Sequence, residues 1–225
     1  MCFTPIISLS TAIIEFTLAT LIIIFLKKST TNKFFTILII LLGIYQFTEF
    51  MLCTSNNPII WGILGYITYT FLPAVGVHFA VRFSKTKFKN WIIYIIPITL
   101  SSIAIFTTNF IKKSVCNTFF ILVETILNKN LIYLWLYRTY YLTFIFIGGY
   151  ILWKKYKIEK NLNKRRIHII ITSAVLIALI PSMILYAISP SLRIMFASVY
   201  CEFALLTAII IFIGAYYENK IKKRK

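Results

Sequence analysis

Seven apolar stretches, each long enough to cross a bilayer, follow one another with hardly a gap between them. They lie at about Pro5–Leu26, Phe34–Cys53, Ile59–Arg82, Trp91–Ile111, Leu131–Trp153, Ile167–Ile188 and Leu192–Tyr217. A helix rises about 1.5 Å per residue, so roughly 20 apolar residues cover a hydrocarbon core of about 30 Å. The connections are too short to hold another domain. The expectation is therefore an all-α, polytopic protein of the cell membrane, with one seven-transmembrane-helix bundle over residues 1–225. Charged residues make up only 13% of the chain, whereas a soluble domain uses about a quarter to cover its surface. Soluble folds and disordered tails are excluded.

The few charges set direction. Of 24 Lys and Arg, 19 fall on one side if the N-terminus is placed outside. That side holds Lys27, Lys28 and Lys33, the group Arg82–Lys89, the group Lys154–Arg166, and the tail from Lys220 to Lys225. Positive residues in short loops stay in the cytoplasm, which predicts an outside N-terminus and a cytoplasmic C-terminus. The first stretch is preceded by uncharged Met1-Cys2-Phe3-Thr4 and followed by Lys27-Lys28. This reverses the charge order of a secretory signal, so a retained helix is expected. The net charge of +18 then belongs to a lipid-facing rim. Anionic lipid at the cytoplasmic face is its expected partner, and nucleic acid is not. The longest connection, Lys112–Asn130, is expected to be a plain loop; a short amphipathic cap on the outer interface is the alternative.

Ionisable groups at membrane depth cost about 2.5–3.5 kcal/mol each on the lenient insertion scale, and by default mark function. Four stand out. Glu15 lies mid-helix 1 and Glu202 deep in helix 7. Glu49 is one turn from the outer end of helix 2, and Arg138 two turns into helix 5. Helical spacing adds Ser8 and Thr11 to Glu15, Tyr45, Gln46 and Cys53 to Glu49, Tyr141 to Arg138, and Ser198 to Glu202. An outward-opening polar pocket ringed by helices 1, 2, 5 and 7 is the economical arrangement, locally about −2 if all four groups ionise. One Arg neutralises one carboxylate; the others take up a proton, bind a cation or face water. The competing reading is a structural ion pair plus hydrogen-bonded glutamates that fix helix contacts.

Cys2, Cys53, Cys116 and Cys201 all fall on the outer half. Four cysteines allow three connectivities; Cys53 with Cys116 matches best by depth, and free thiols are the alternative. Cys2, Cys201 and a Glu could ligate a metal on chemistry alone, but no diagnostic spacing supports one. His78 and His168 sit at the inner rim, as solvated or helix-capping side chains or as ligands of a haem between helices 3 and 6. No metal and no cofactor is expected. Helix 7 has no lysine for a retinal Schiff base, and no phosphate loop, serine elbow or His-Glu-x-x-His helix occurs.

Two resemblances appear at these residues. Met1-Cys2-Phe3, the run Gly43-Ile44-Tyr45-Gln46-Phe47-Thr48-Glu49, and Ser198-Val199-Tyr200-Cys201 resemble a family of small prokaryotic seven-helix membrane proteins of unknown function. Its members open Met-Cys-Phe-Ser and carry Gln-x-x-Glu in helix 2 and Val-Trp-Cys near the end. Here Thr4 replaces the Ser, Tyr200 replaces the Trp, and Glu202 stands where an aromatic is expected. That resemblance implies a shared feature at Cys2, Gln46, Glu49 and Cys201. Helices 2 to 4, from Glu49 through Trp61, Tyr66, Pro73 and Phe83 to Ile96-Pro97 and Thr108-Asn109, are similar to the seven-helix N-terminal sensor region of prokaryotic histidine kinases. Such regions are followed by a cytoplasmic signalling module. With the sequence ending at Lys225, the resemblance implies output to a separate cytoplasmic partner.

The expected function is a receptor or sensor that binds a small polar or cationic ligand, or protons, at Glu15, Gln46, Glu49, Arg138, Tyr141, Ser198 and Glu202. The alternatives are a small proton-coupled transporter using the same carboxylates, and a Cys-dependent membrane enzyme or redox protein centred on Cys2 and Cys201. No catalytic residue is assigned.

Overall fold

A computed structural model describes residues 5–116, 121–129, 131–188 and 203–223. The helices are α1 (Pro5–Phe25), α2 (Thr30–Thr54), α3 (Pro58–Phe83), α4 (Asn90–Phe106), a single turn α5 (Ile126–Lys129), α6 (Leu131–Ile158), α7 (Leu162–Ile188) and α8 (Ala204–Lys223). Two strands, β1 (Ile111–Cys116) and β2 (Ile121–Thr125), interrupt them. By length and apolarity α1, α2 and α3 suffice to span a membrane, and α4 is a shorter apolar helix.

The bundle is inside out relative to a soluble protein. On α1 the buried face is Ser8, Ala12, Glu15, Ala19 and Ile22, whereas Ile6, Ile13, Ile23 and Ile24 are exposed. On α4 the exposed set is Trp91, Ile92, Ile95, Ile96 and Ile98. Apolar patches of this extent are not left to water by soluble monomers; they face lipid. At the lysine-rich end Lys157 Nζ lies 3.9 Å from the Trp153 ring and the Arg165 guanidinium 4.5 Å from Tyr156. Aromatic and basic side chains paired in this way mark a membrane–water interface.

The core runs between α2, α3, α6, α7 and α8, through Phe35, Ile39, Leu42, Phe79, Leu152, Ile171 and Ile211. Small residues set the helix spacing. A Cβ on Gly43 of α2 would meet Phe16 Cε1 of α1 at 2.9 Å, and one on Gly65 of α3 would meet Thr48 Oγ1 of α2 at 2.8 Å.

Three expectations need correction. The fourth helix stops at Phe106, five residues before Ile111. Thr107 turns extended, Asn109 adopts a left-handed φ of 58°, and the apolar pair Phe110-Ile111 leaves the helix to be buried elsewhere. The bundle is helical as expected, but the described residues of the 112–130 connection are not a plain loop: β1 and β2 pair antiparallel with a bulge at Lys112. Ile121-Leu122-Val123 has the β-branched character that suits a strand. The hairpin is held from below, because Phe110 meets Tyr66 at 4.9 Å and Ile111 lies over Gly62, while Ile126 N donates to Phe110 O at 2.9 Å across its base. The seventh expected span, Leu192–Tyr217, is described only from Phe203 onward, where α8 carries it on to Lys223.

Candidate functional site

Glu15 and Glu49 face the protein interior from adjacent helices, with 0% and 3% of their surface exposed. Neither oxygen of Glu15 has a hydrogen-bond partner among the described residues, and neither does the hydroxyl of Ser8, two turns earlier on the same buried face. A buried carboxyl without partners is costly, which makes Glu15 the first candidate for a functional side chain among the described residues. Gln46 is buried one turn from Glu49, with Thr48 between them. The Thr48 hydroxyl donates to Tyr45 O at 2.7 Å, and its contact with Gly65 holds this part of α2 close against α3.

Beside the carboxylates stands a wall of tyrosines that sequence reasoning did not assemble. Tyr69 of α3 stacks on Tyr141 of α6, with centroids 4.6 Å apart at 14°, and touches Tyr45 of α2 at 5.7 Å. Tyr66 stacks on Tyr137 at 5.5 Å. Thr70 threads the wall: Tyr137 OH lies 3.0 Å from its Oγ1, and Tyr140 OH donates to its carbonyl at 2.7 Å. The spacing Tyr66/Tyr69 and Tyr137/Tyr140/Tyr141 is the signal that could have found it, since each set lies on one helix face.

The structure thus brings Glu15, Gln46, Glu49 and Tyr45 together on α1 and α2, and places Tyr141 in the adjoining wall. Arg138 is half-buried on α6, with its guanidinium 6.0 Å from the Trp135 ring centroid. Ser198, Glu202, Cys2 and Cys201 lie outside the described residues, as does the side chain of Cys116. Cys53 is disulfide-bonded, and the hairpin strand carrying Cys116 packs against the same end of α2 and α3.

The histidines divide. His78 Nδ1 lies 2.8 Å from Tyr94 OH, and Arg82 Nε donates to its Nε2 at 3.4 Å. His168 is not a solvated side chain: it is 2% exposed, packed on Phe83 at 4.6 Å. Its Nδ1 lies 2.8 Å from Lys164 O one turn back, as a donor to that carbonyl. The adjoining basic run Lys164-Arg165-Arg166 had pointed to the interface, yet the helix turns this one position inward.

At the lysine-rich end the turn between α1 and α2 is tied to α8. Lys27 N donates to Asn219 Oδ1 at 3.1 Å, and Asn32 Nδ2 to Lys27 O at 3.0 Å. The Ser29 hydroxyl, which caps α2 by accepting from Asn32 N, sits 3.2 Å from both carboxylate oxygens of Glu218. Sequence reasoning gave Glu218 and Asn219 no role. Higher up, Gly214 of α8 lies close enough to α2 and α7 that a Cβ there would meet Ile170 at 3.2 Å and Phe35 at 3.5 Å.

Comparison with known families gives one match, which covers residues 7–222: the N-terminal 7TM region of histidine kinase. It falls to the second of the two resemblances and extends it from three helices to nearly the whole chain. No curated protein and no solved structure matches.

Proposed function

This chain belongs to the family of N-terminal seven-transmembrane regions of histidine kinases, and from that premise we propose that it is a membrane sensor whose stimulus acts at the Glu15–Glu49 pair. The stimulus is a proton or a small cationic ligand. The observation that carries this reading is Glu15, fully buried, with both carboxylate oxygens unmatched among the described residues and a second buried carboxylate, Glu49, on the adjacent helix. Supplying or removing positive charge there changes the repulsion between α1 and α2. The connection joining these helices is hydrogen-bonded to α8, so a shift of one against the other is felt at the lysine-rich end. By the charge bias of its loops that end is cytoplasmic, where a signalling partner reads the change. The hairpin end is then external, and Cys116 is the cysteine we assign to Cys53.

The experiment is fluorescence of the purified protein in nanodiscs, titrated with acid and separately with sodium and spermidine. The wild type should respond to at least one. Glu49→Gln should abolish that response while keeping the unfolding midpoint. A wild type that answers none of the three, or an E49Q variant that responds as before, refutes the assignment. Solute uptake into proteoliposomes, which a sensor does not perform, separates this reading from a carrier.

A further inference from the structure

At the lysine-rich end, away from the glutamate pair, the bundle opens into a vestibule of about 500 Å³. A single ordered water needs only about 10–15 Å³ of such space, so there is room for a polyatomic group. Four cations from three elements line it: Arg82 and Lys85 at the end of α3, Lys155 on α6 and Lys164 on α7. Two carboxylates share the wall, leaving an excess of two positive charges. Both already accept hydrogen bonds, Glu218 from the Ser29 hydroxyl and Glu159 from Asn161 N. Thr30 and Thr31, the first residues of the 25-residue α2, also line the space. The positive end of that helix dipole therefore adds to the field.

Two further details set this vestibule apart from a solvated basic rim. The His168 ring lies in its wall, almost fully buried, with Nε2 lacking any hydrogen-bond partner among the described residues. Nδ1 is committed to Lys164 O and Nε2 is enclosed by protein, so the ring shapes the wall and leaves the polar contacts to the cations around it. Lys85 holds a left-handed φ of 57° in the turn that ends α3, where Lys85 N donates to Arg82 O and Thr86 N to Val81 O. Glycine normally fills that place, and a side chain there strains the backbone.

We propose that this vestibule is a phosphate-binding site, with Arg82, Lys85, Lys155 and Lys164 taking the anionic oxygens and the His168 ring closing the inner wall. Arg82 is pre-positioned for the role by its hydrogen bond to His78. The phosphate comes from a phospholipid headgroup reaching in from the membrane edge or from a soluble phosphate ester. In both cases the site ties the ends of α3, α6 and α7 to the start of α2.

The test uses the full chain in neutral-lipid nanodiscs, with binding read by calorimetry. One arm adds inorganic phosphate; the other exchanges part of the phosphatidylcholine for phosphatidic acid and reads the unfolding midpoint. Saturable phosphate binding assigns a soluble ester, and stabilisation by phosphatidic acid alone assigns a headgroup. Lys85→Gly relieves the backbone strain and so keeps the fold, while with Lys164→Gln it should weaken binding at least about tenfold. Lys28→Gln, exposed at the same end but outside the vestibule, should leave binding unchanged. No response in either arm overturns the proposal. So does binding that K28Q weakens as much as the vestibule pair does, because that is adsorption to a basic rim.

Discussion

Replacing Gly65 by alanine tests the α2–α3 contact that frames the site. The new methyl would sit 2.8 Å from Thr48 Oγ1 and 3.5 Å from Thr48 Cβ; the first distance is a clash and the second an ordinary contact. The hydroxyl has little freedom to move away, since Thr48 is β-branched and its oxygen is engaged with Tyr45 O at 2.7 Å. Either α2 and α3 part by a few tenths of an ångström or the hydroxyl gives up its bond. Overpacking of this kind costs about 1–3 kcal/mol, and alanine returns about 1 kcal/mol of helix propensity, so a net change between about zero and a loss of 2 kcal/mol is expected. Thr48→Ala alone removes one hydrogen bond, worth about 0.5–1.5 kcal/mol. In the double variant the clashing oxygen is gone and only the 3.5 Å contact remains. Unfolding by SDS in mixed micelles should therefore show the double variant at least as stable as T48A, with a favourable coupling equal to the relieved overpacking, about 1–3 kcal/mol. Additive losses would refute the close approach, and with it the claim that α2 and α3 move as one piece near Glu49.

Two further outcomes follow from named contacts. Tyr137→Phe keeps the stacked ring but loses the hydroxyl contact with Thr70, so the same titration should show a loss of about 0.5–1.5 kcal/mol; Tyr141→Ala, which removes the partner of Tyr69, should cost about 3–5 kcal/mol, and equal effects would contradict the wall. Glu218→Ala with Asn219→Ala removes both ties between the α1–α2 turn and α8, so the response at Glu49 should persist while an environment-sensitive label placed by Lys220→Cys stops reporting it. A label that still follows the stimulus shows that α8 is coupled by another route.

What was legible in the sequence is what the membrane makes expensive. Seven apolar stretches allow little but spanning helices, and Glu15 and Glu49 were conspicuous because carboxylates at depth demand a reason. What was missed carries no such cost. Tyrosine has an apolar body and a polar tip, and among 14 of them no single one looks unusual; only placing α3 against α6 turns two spaced sets into a wall. The hairpin escaped because Phe110-Ile111 reads as the end of an apolar helix, while its actual role is to plug the space over Tyr66 and Gly62. His168 was assigned to solvent by its basic neighbours, yet one position along a helix is enough to reverse exposure. Its ring closes the inner wall of the vestibule.

The two ends of the molecule are joined by packing that is stiff on one side and loose on the other. Gly43 against Phe16 and Gly65 against Thr48 bring α1, α2 and α3 into close contact around the carboxylates, so a change at Glu15 or Glu49 cannot be absorbed locally by side chains. Between α2, α3, α6, α7 and α8, by contrast, lies an apolar cavity of about 120 Å³. Gly76 and Gly149 line it, and neither would meet another atom within 4 Å if it carried a Cβ. An apolar space that the described residues leave unfilled is where their own packing is least complete. The cavity lies where α2 and α3 meet α6 and α7, whose near ends form the walls of the basic vestibule. The α8 helix is held to the stiff side by Lys27 and Ser29 and touches α7 at Gly214. It spans the boundary between the two halves and is the element best placed to report their relative movement.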